Sequence, residues 1–171
     1  MVSITYSTQL GAGIPTFMTG ITDLEVVWIN GQPKLYSAAR PGMGAGYTVH
    51  DISNASGPAT LQALQGYSAP IDHGTTPGFA VINSGGANFL IAAGLTPSGW
   101  ASYGLTGTGG FGGTLNTPLA FDPTSVVGYT SGGAIYVYLT PDGSGQPLAY
   151  QLFGNGSLVP VANGSAFAAP A

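Results

Sequence analysis

Two segments of the chain, 47 residues apart, are close copies of each other: VINSGGANFLIAA at 81–93 and GYTSGGAIYVYLT at 128–140. They superpose without a gap, so that a Ser-Gly-Gly triplet falls on the same triplet. An earlier segment, VVWINGQPKLYSAA at 26–39, aligns with the first of them at a spacing of 54 residues, with Val27 on Val81. The chain therefore consists of three related units.

The match continues downstream in a second set of segments. These share one spacing and are GYTVHDI at 46–52, GWASYGL at 99–105 and QPLAYQL at 146–152. His50, Tyr103 and Tyr150 fall on one another in this alignment. Each segment is followed by a Gly-rich turn and a further short apolar segment, so every unit is predicted to contain four short strands.

The hydrophobic pattern predicts strands rather than helices. Apolar residues are contiguous or alternate within the segments, and no stretch keeps a period of 3.6 residues for two turns. The 29 glycines and 13 prolines fit a chain with many turns. Gly85-Gly86 and Gly132-Gly133 separate two apolar runs, where a tight hairpin needs the positive φ that glycine adopts easily. We therefore predict an all-β domain with almost no helix.

A four-stranded repeat of about 50 residues is typical of a propeller blade. The apolar pairs, the Gly-rich loop and the following Tyr-x-Leu resemble the blades of lactonase-type propellers and the repeats that precede calcium-binding arrays in secreted RTX-type proteins. The resemblance covers most of residues 21–162 and implies blade-like packing. The Gly-Gly-x-Gly-x-Asp nonapeptides of those arrays are not in this sequence, so it does not extend to their calcium sites.

The boundaries of this single domain follow the repeats. We place an N-terminal strand segment at 1–20, repeat 1 at 21–72, repeat 2 at 73–124, repeat 3 at 125–165 and a tail at 166–171. The tail, AFAAPA, is interpreted as either a docking peptide or a frayed end.

Three blades are too few for a closed ring, because known propellers have about four to eight. The favoured solution is oligomerisation: two chains give six blades, and SITYS at 3–7 adds a strand across the seam. The alternative is a fold that needs three four-stranded units in one chain, a β-trefoil or a β-prism. Many lectins have these folds, but neither a Gln-x-Trp repeat nor the mannose-binding prism motif is present.

Charge is unusually scarce and limits the classes of partner. Lys34 and Arg40 are the only basic residues, six residues are acidic, and charged residues make up 5% of the chain, against about a quarter in a typical domain. Nucleic acid is excluded as a partner, because neutralising phosphates requires clustered Lys and Arg. The longest apolar run, at 88–95, is far shorter than the roughly 20 residues of a membrane-spanning helix, so we expect no membrane insertion.

Two further features bear on location. The first residues contain neither the basic nor the apolar region of a secretory signal, so no signal peptide is readable. The chain has no cysteine, which removes disulfides, zinc thiolates and thiol catalysis together.

Polar candidate residues lie in connectors and loops that a blade arrangement would bring to one end of the molecule. They are Asp23, Arg40, Asp72, His73, Asp122 and Asp142. Together they would form an acidic rim able to hold a cation such as calcium or to hydrogen-bond a sugar. The alternative, and favoured, interpretation is that they are the solvated turn residues that every β protein needs.

Aromatic residues give a second kind of candidate. Trp100, with Trp28, Tyr47 and Tyr103, would stack on sugar rings if these side chains were exposed. Packing between blades is the commoner role of aromatic side chains in such repeats.

Catalytic signatures are missing from the sequence. It has no Gly-x-Ser-x-Gly elbow, and no carboxylate pair is marked for glycoside hydrolysis. The sequence therefore favours a non-catalytic surface or particle protein: a spike-like or fibre-like adhesion module that oligomerises and contacts a surface polysaccharide. In composition it resembles the head spikes of phages and gene transfer agents, which implies an extracellular or particle-surface location.

Two alternatives to this function stay open. One is a propeller-type, metal-dependent lactonase with Asp23, Asp72, His73, Asp122 or Asp142 as metal ligands. The other is an interaction subunit that completes a propeller with a different chain.

Overall fold

Strands account for most of the described chain. The computed structural model describes residues 20–39, 46–54, 59–66, 78–84, 86–95, 98–142 and 146–161, and these contain no helix. In chain order the strands are β1 (Ile21–Ile29), β2 (Gln32–Ala39), β3 (Gly46–Asp51), β4 (Thr60–Gly66), β5 (Gly78–Ser84), β6 (Ala87–Leu95), β7 (Ser98–Leu105), β8 (Phe111–Pro118), β9 (Pro123–Ser131), β10 (Ala134–Pro141), β11 (Leu148–Leu152) and β12 (Leu158–Pro160). A search of these residues for a helix suited to crossing a bilayer finds none.

The strands form three antiparallel sheets of four, each in chain order. Sheet 1 contains β1 to β4, sheet 2 contains β5 to β8, and sheet 3 contains β9 to β12. The prediction of an all-β chain with three four-stranded repeats is therefore confirmed. Pro123 and Thr124, which the sequence placed at the end of repeat 2, instead begin β9.

The hairpin that opens each sheet is a two-residue turn. In sheet 1 it is Asn30-Gly31, with φ of 49° and 75°, and in sheet 3 it is Gly132-Gly133, with φ of 57° and 78°. Positive φ at both positions defines a type I′ turn, which matches the twist of the flanking strands. The glycine pairs thus explain why the chain reverses at these points.

Sheets 2 and 3 repeat each other at a spacing of 47 residues. The hairpin pair Ser84↔Ala87 becomes Ser131↔Ala134, 47 residues later. The turn between the third and fourth strands also repeats: Thr106 N donates to Gly110 O at 2.8 Å, and Phe153 N donates to Ser157 O at 3.0 Å. The predicted alignment of these two units is therefore confirmed in register.

Sheet 1 is related to sheet 2 by different spacings. Ile29↔Gln32 closes the first hairpin as Ser84↔Ala87 closes the next, which places β1 and β2 55 residues before β5 and β6. His50 does correspond to Tyr103, 53 residues later, as the sequence predicted. The 54-residue spacing predicted for the first two strands is wrong by one residue. Such a slip moves every side chain to the opposite face of the sheet.

The three sheets are stacked, and the core is divided between two interfaces. Sheets 1 and 2 enclose an aromatic cluster in which the Tyr47 ring lies 5.3 Å from Tyr103 and 5.9 Å from Phe79, edge to face. The buried residues of this first interface are Tyr36, Ala38, Tyr47, Val49, Phe79, Leu90, Ala92, Ala101 and Tyr103. Edge-to-face aromatic pairs add specific geometry to the burial of apolar area.

The second interface is mainly aliphatic. Sheet 2 contributes Ala80, Ile82, Phe89, Ile91, Ala93 and Trp100, and sheet 3 contributes Val126, Ile135, Val137, Leu139, Tyr150, Leu152 and Leu158. Strand β6 supplies both interfaces because its successive side chains point to opposite faces. Leu90 and Ala92 face sheet 1, whereas Phe89 and Ile91 face sheet 3.

Sheet 2 is consequently covered on both faces, and this arrangement is blade-like. A β-prism, in which each sheet turns one face towards a shared axis, would leave one face of sheet 2 uncovered. The first strands of the three sheets lie side by side, β1 next to β5 and β5 next to β9. The segment at 3–7 and the tail at 166–171 lie outside the described residues.

Candidate functional site

A cleft of about 420 Å³ lies where the first strands of sheets 2 and 3 meet. We call it the strand-edge cleft. It is lined by Glu25 of β1, residues 79–83 of β5 and residues 126–130 of β9. Both β5 and β9 are edge strands, so one side of each carries backbone groups that no neighbouring strand pairs.

Two carboxylates of sheet 1 occupy the free edge of β5. Asp23 Oδ2 accepts a hydrogen bond from Phe79 N at 3.2 Å, and Glu25 Oε2 accepts one from Val81 N at 2.8 Å. The carboxylates thus take the place of a fifth strand along this edge. They satisfy backbone donors that would otherwise be unpaired.

Glu25 is the acidic side chain that lines the cleft. Partial burial raises the pKa of its carboxyl group, the Val81 N–H opposes that change, and the nearby negative charge of Asp23 adds to it. The pKa of Glu25 therefore lies above its ordinary value of 4.5. A cationic group entering the cleft would favour the ionised carboxylate.

The free edge of β9 is arranged differently. By the 47-residue repeat, Val126 and Gly128 are equivalent to Phe79 and Val81, so their N–H groups point away from β10. The positions equivalent to Asp23 and Glu25 are Gly78 and Ala80, whose side chains carry no acceptor.

The position of Gly78 is informative. A Cβ atom added there would lie 3.8 Å from Val126 N, which is where the Asp23 side chain lies relative to the preceding edge. The repeat therefore fills one strand edge with carboxylates and leaves the next without them.

The predicted polar candidates are not brought together as one rim. Asp23 is bonded to the β5 backbone as described above. Asp122 and Asp142 are exposed neighbours at the other end of the stack's repeats, in sheet 3, where Asp142 N donates to Asp122 O at 2.7 Å. Arg40, Asp72 and His73 lie outside the described residues, so their placement stays a prediction.

Trp100 is wrong as a ligand-stacking candidate. Its side chain is 2% exposed and packs between sheets 2 and 3. Tyr47 and Tyr103 are fully buried in the other interface. Of the four aromatic residues considered, Trp28 is the exposed one, with 67% of its surface accessible. Stacking on a ligand requires an accessible ring face, which the three buried rings do not offer.

The remaining charged pair is structural. Lys34 is buried and donates to Asp51 Oδ2 at 3.1 Å. Two hydrogen bonds from Ser53, together with this contact, lower the pKa of Asp51 from 3.8 to about 2. Within the described ranges no three His, Asp or Glu side chains are grouped so as to hold a metal ion.

Both ends of the stack present uncharged surfaces. The outer face of sheet 1, turned away from sheet 2, exposes Leu24, Val26 and Trp28 along β1. Its β2 and β3 part is already buried, at Ser37, Thr48 and His50.

The outer face of sheet 3, turned away from sheet 2, exposes Val127 and Tyr129 of β9 and Val159 of β12. The sequence reasoning missed these residues, and Glu25 with them. The strict 47-residue alternation was the signal that assigns Val127 and Tyr129 to a face.

No protein-family model matches the chain, and no curated protein matches it significantly. The functional argument therefore rests on the geometry described above.

Proposed function

We propose that the chain is a non-catalytic assembly module: a unit of three blades that closes into a six-blade ring with a second copy of itself. One observation carries the proposal. Ala80 and Ile82 of sheet 2 are 9% and 6% exposed because sheet 3 covers them, whereas their repeat equivalents in sheet 3, Val127 and Tyr129, are 58% and 57% exposed. The last sheet presents a surface that the repeat elsewhere buries.

The opposite end of the stack supports the same conclusion. Phe79 of sheet 2 is 5% exposed beneath sheet 1, and its equivalent in sheet 1, Leu24, is 54% exposed. Exposed apolar side chains that are contiguous on a sheet face mark interaction surfaces. The two ends are therefore complementary in the sense in which sheet 2 is complementary to its neighbours.

Two copies related by a two-fold axis satisfy both ends at once. The outer face of sheet 3 of each copy would pack on the outer face of sheet 1 of the other, which gives two identical seams and no free end. Because β1 is the exposed part of sheet 1's outer face, each seam would join β9 of one copy to β1 of the other. A ring of six blades lies within the range of about four to eight known for propellers.

The repeat also proposes which residues meet at the seam. Inside one chain, Ile82 lies directly over Gly128. The equivalents of Ile82 and Gly128 at the seam are Tyr129 of one copy and Val26 of the other.

Single cysteines test this pairing, because the chain has none of its own. We expect Val26→Cys and Tyr129→Cys, mixed under oxidising conditions, to form a mixed cross-linked dimer, since a disulfide requires Cβ atoms about 4 Å apart. Leu115→Cys on β8, also exposed, is the matched control and should not join either. Links between like variants, or cross-linking no stronger than that of the control, would contradict the seam. A different chain as the partner would give the same absence of cross-links.

Contact with a surface polysaccharide and location on a particle or outside the cell extend this proposal and rest on composition alone. The proposed absence of catalysis rests on the missing sequence signatures. No observation in the described residues favours the lactonase alternative, whose candidate ligand Asp23 is engaged with β5.

A further inference from the structure

The free edge of β9 is the strongest unexplained feature of the molecule. Its residues Val126, Gly128 and Thr130 line the strand-edge cleft. They alternate along the strand, so each presents a backbone N–H and C=O on the side away from β10. This row of donors and acceptors is the pattern that another extended backbone pairs with.

We propose that this edge binds an extended peptide carrying a basic side chain, which adds a strand to β9 within the cleft. The mode is β-strand addition, in which main-chain hydrogen bonds give affinity and side-chain pockets give selectivity. A single chain contains the whole site, so the proposal does not depend on the assembly proposed above.

The comparison between sheets argues for an added ligand at this place. On β5 the equivalent donors are satisfied by Asp23 and Glu25 of the preceding sheet. On β9 the chain has glycine and alanine where those carboxylates would be, at Gly78 and Ala80. Loss of both acceptors leaves a gap along the edge, and an extended backbone fills it.

The charge of the cleft selects among ligands. A carboxylate ligand would satisfy the N–H groups alone, leaving the C=O groups unpaired, and would meet the Glu25 carboxylate. An extended peptide satisfies both kinds of backbone group, and a Lys or Arg side chain would pair with Glu25. Neither 1–19 nor 162–171 contains Lys or Arg, so the basic segment comes from another protein.

The first measurement concerns the chain alone. We expect amide hydrogen exchange, followed by NMR on the full chain, to be at least about tenfold faster at Val126, Gly128 and Thr130 than at Phe79 and Val81. The reason is that hydrogen-bonded amides exchange only when the structure opens. Equal protection of the two edges would mean that the chain already covers β9, and would overturn the proposal.

The second measurement uses two libraries of acetylated, amidated pentapeptides with random flanking positions and either Lys or Glu fixed at the centre. We expect immobilised protein to enrich members of the Lys library. N-methylation at alternate residues of an enriched peptide should abolish binding, because it removes the donors of an added strand. No enrichment, or preference for the Glu library, would overturn the proposal.

Matched variants locate the binding site. Ala80→Glu places an acceptor opposite Gly128 N–H, as Glu25 does for Val81, and should weaken peptide binding by about tenfold or more. Leu115→Glu changes the charge equally on β8, outside the cleft, and should leave binding unchanged. Glu25→Gln should reduce the preference for Lys over Glu by about three- to tenfold. Equal effects of the two Glu variants would place the peptide elsewhere and contradict the assignment to β9.

Discussion

Gly128 lies beneath the Ile82 side chain, and its hydrogen atom leaves the room that Ile82 occupies. A Cβ atom at this position would lie 2.6 Å from both Cδ1 and Cγ1 of Ile82. This distance is shorter than any tolerated contact, so either β9 or Ile82 would have to move.

We expect Gly128→Ala to destabilise the fold by about 1–3 kcal/mol through overpacking, measured by urea unfolding. Gly113→Ala, at a strand position with open space, should change stability by no more than about 0.5 kcal/mol. In the double variant with Ile82→Ala, the loss should be smaller than the sum of the single losses. Additive losses would show that the contact does not constrain the packing of β9.

His50 makes stability depend on pH. Its side chain is buried on the outer face of sheet 1, and burial lowers the pKa of the imidazole below 6.5. Between the folded and unfolded pKa values the unfolded chain binds more protons, so stability falls as the pH is lowered below 6.5. The slope is at most about 1.4 kcal/mol per pH unit.

We expect the melting temperature to fall between pH 7 and pH 5 in the wild-type chain and to vary less in His50→Gln. The variant retains His73, so the difference between the two profiles isolates His50. Asp51 acts at lower pH: its stabilising contribution is present above 3.8 and is lost as the pH falls towards its folded pKa of about 2. Identical profiles above pH 5 would contradict the account of His50.

The roles of single aromatic residues are the part that the sequence predicts least well. Trp28 and Trp100 are both in strands, yet one is exposed and the other is in the core. Alternation decides which face a strand residue occupies, but an error of one residue in the alignment reverses the decision. The sequence offered both roles for Trp100, and only the pairing register separates them.

At the scale of elements, the turn between the third and fourth strands of each sheet rests on the preceding sheet. At the first interface, Tyr36 Oη donates to Gly109 O at 2.7 Å, and Asn30 Nδ2 donates to Gly107 O at 2.8 Å. At the second interface, Ile91 is equivalent to Tyr36 and has no hydroxyl group. The same turn is therefore hydrogen-bonded through side chains at one interface and packed against Phe89 and Ser102 at the other.

We expect Tyr36→Phe to cost about 0.5–1.5 kcal/mol in the free energy of unfolding, because the buried Gly109 carbonyl loses its donor. Hydrogen exchange in the turn at 106–110 should accelerate at the same time. Tyr136→Phe, on the half-buried outer face of sheet 3, is the control and should have little effect. A neutral result for Tyr36→Phe would mean that packing alone holds the turn.

The elements themselves were largely predictable from the sequence. The hairpins at 85–86 and 132–133 and the register of sheets 2 and 3 follow from one undistorted repeat. Sheet 1 was harder because its two spacings, 55 for β2 and 53 for β3, average to the 54 seen by eye. The strand-edge cleft was not predictable, since it depends on which backbone edges the stacking leaves open.

At the scale of the whole molecule, three sheets form two interfaces and leave two ends. Both end surfaces carry exposed apolar residues at positions that are buried in the middle of the stack. Ring closure between two copies would remove both ends together, and a single three-sheet unit would keep them in water.

The central claim is tested most directly by the mass of the full chain in solution, from light scattering on a sizing column. We expect twice the 17.1 kDa mass of one chain, with Tyr129→Asp shifting the mass towards that of a single chain. A mass of 17.1 kDa for the wild-type chain at every concentration would contradict closure by a second copy.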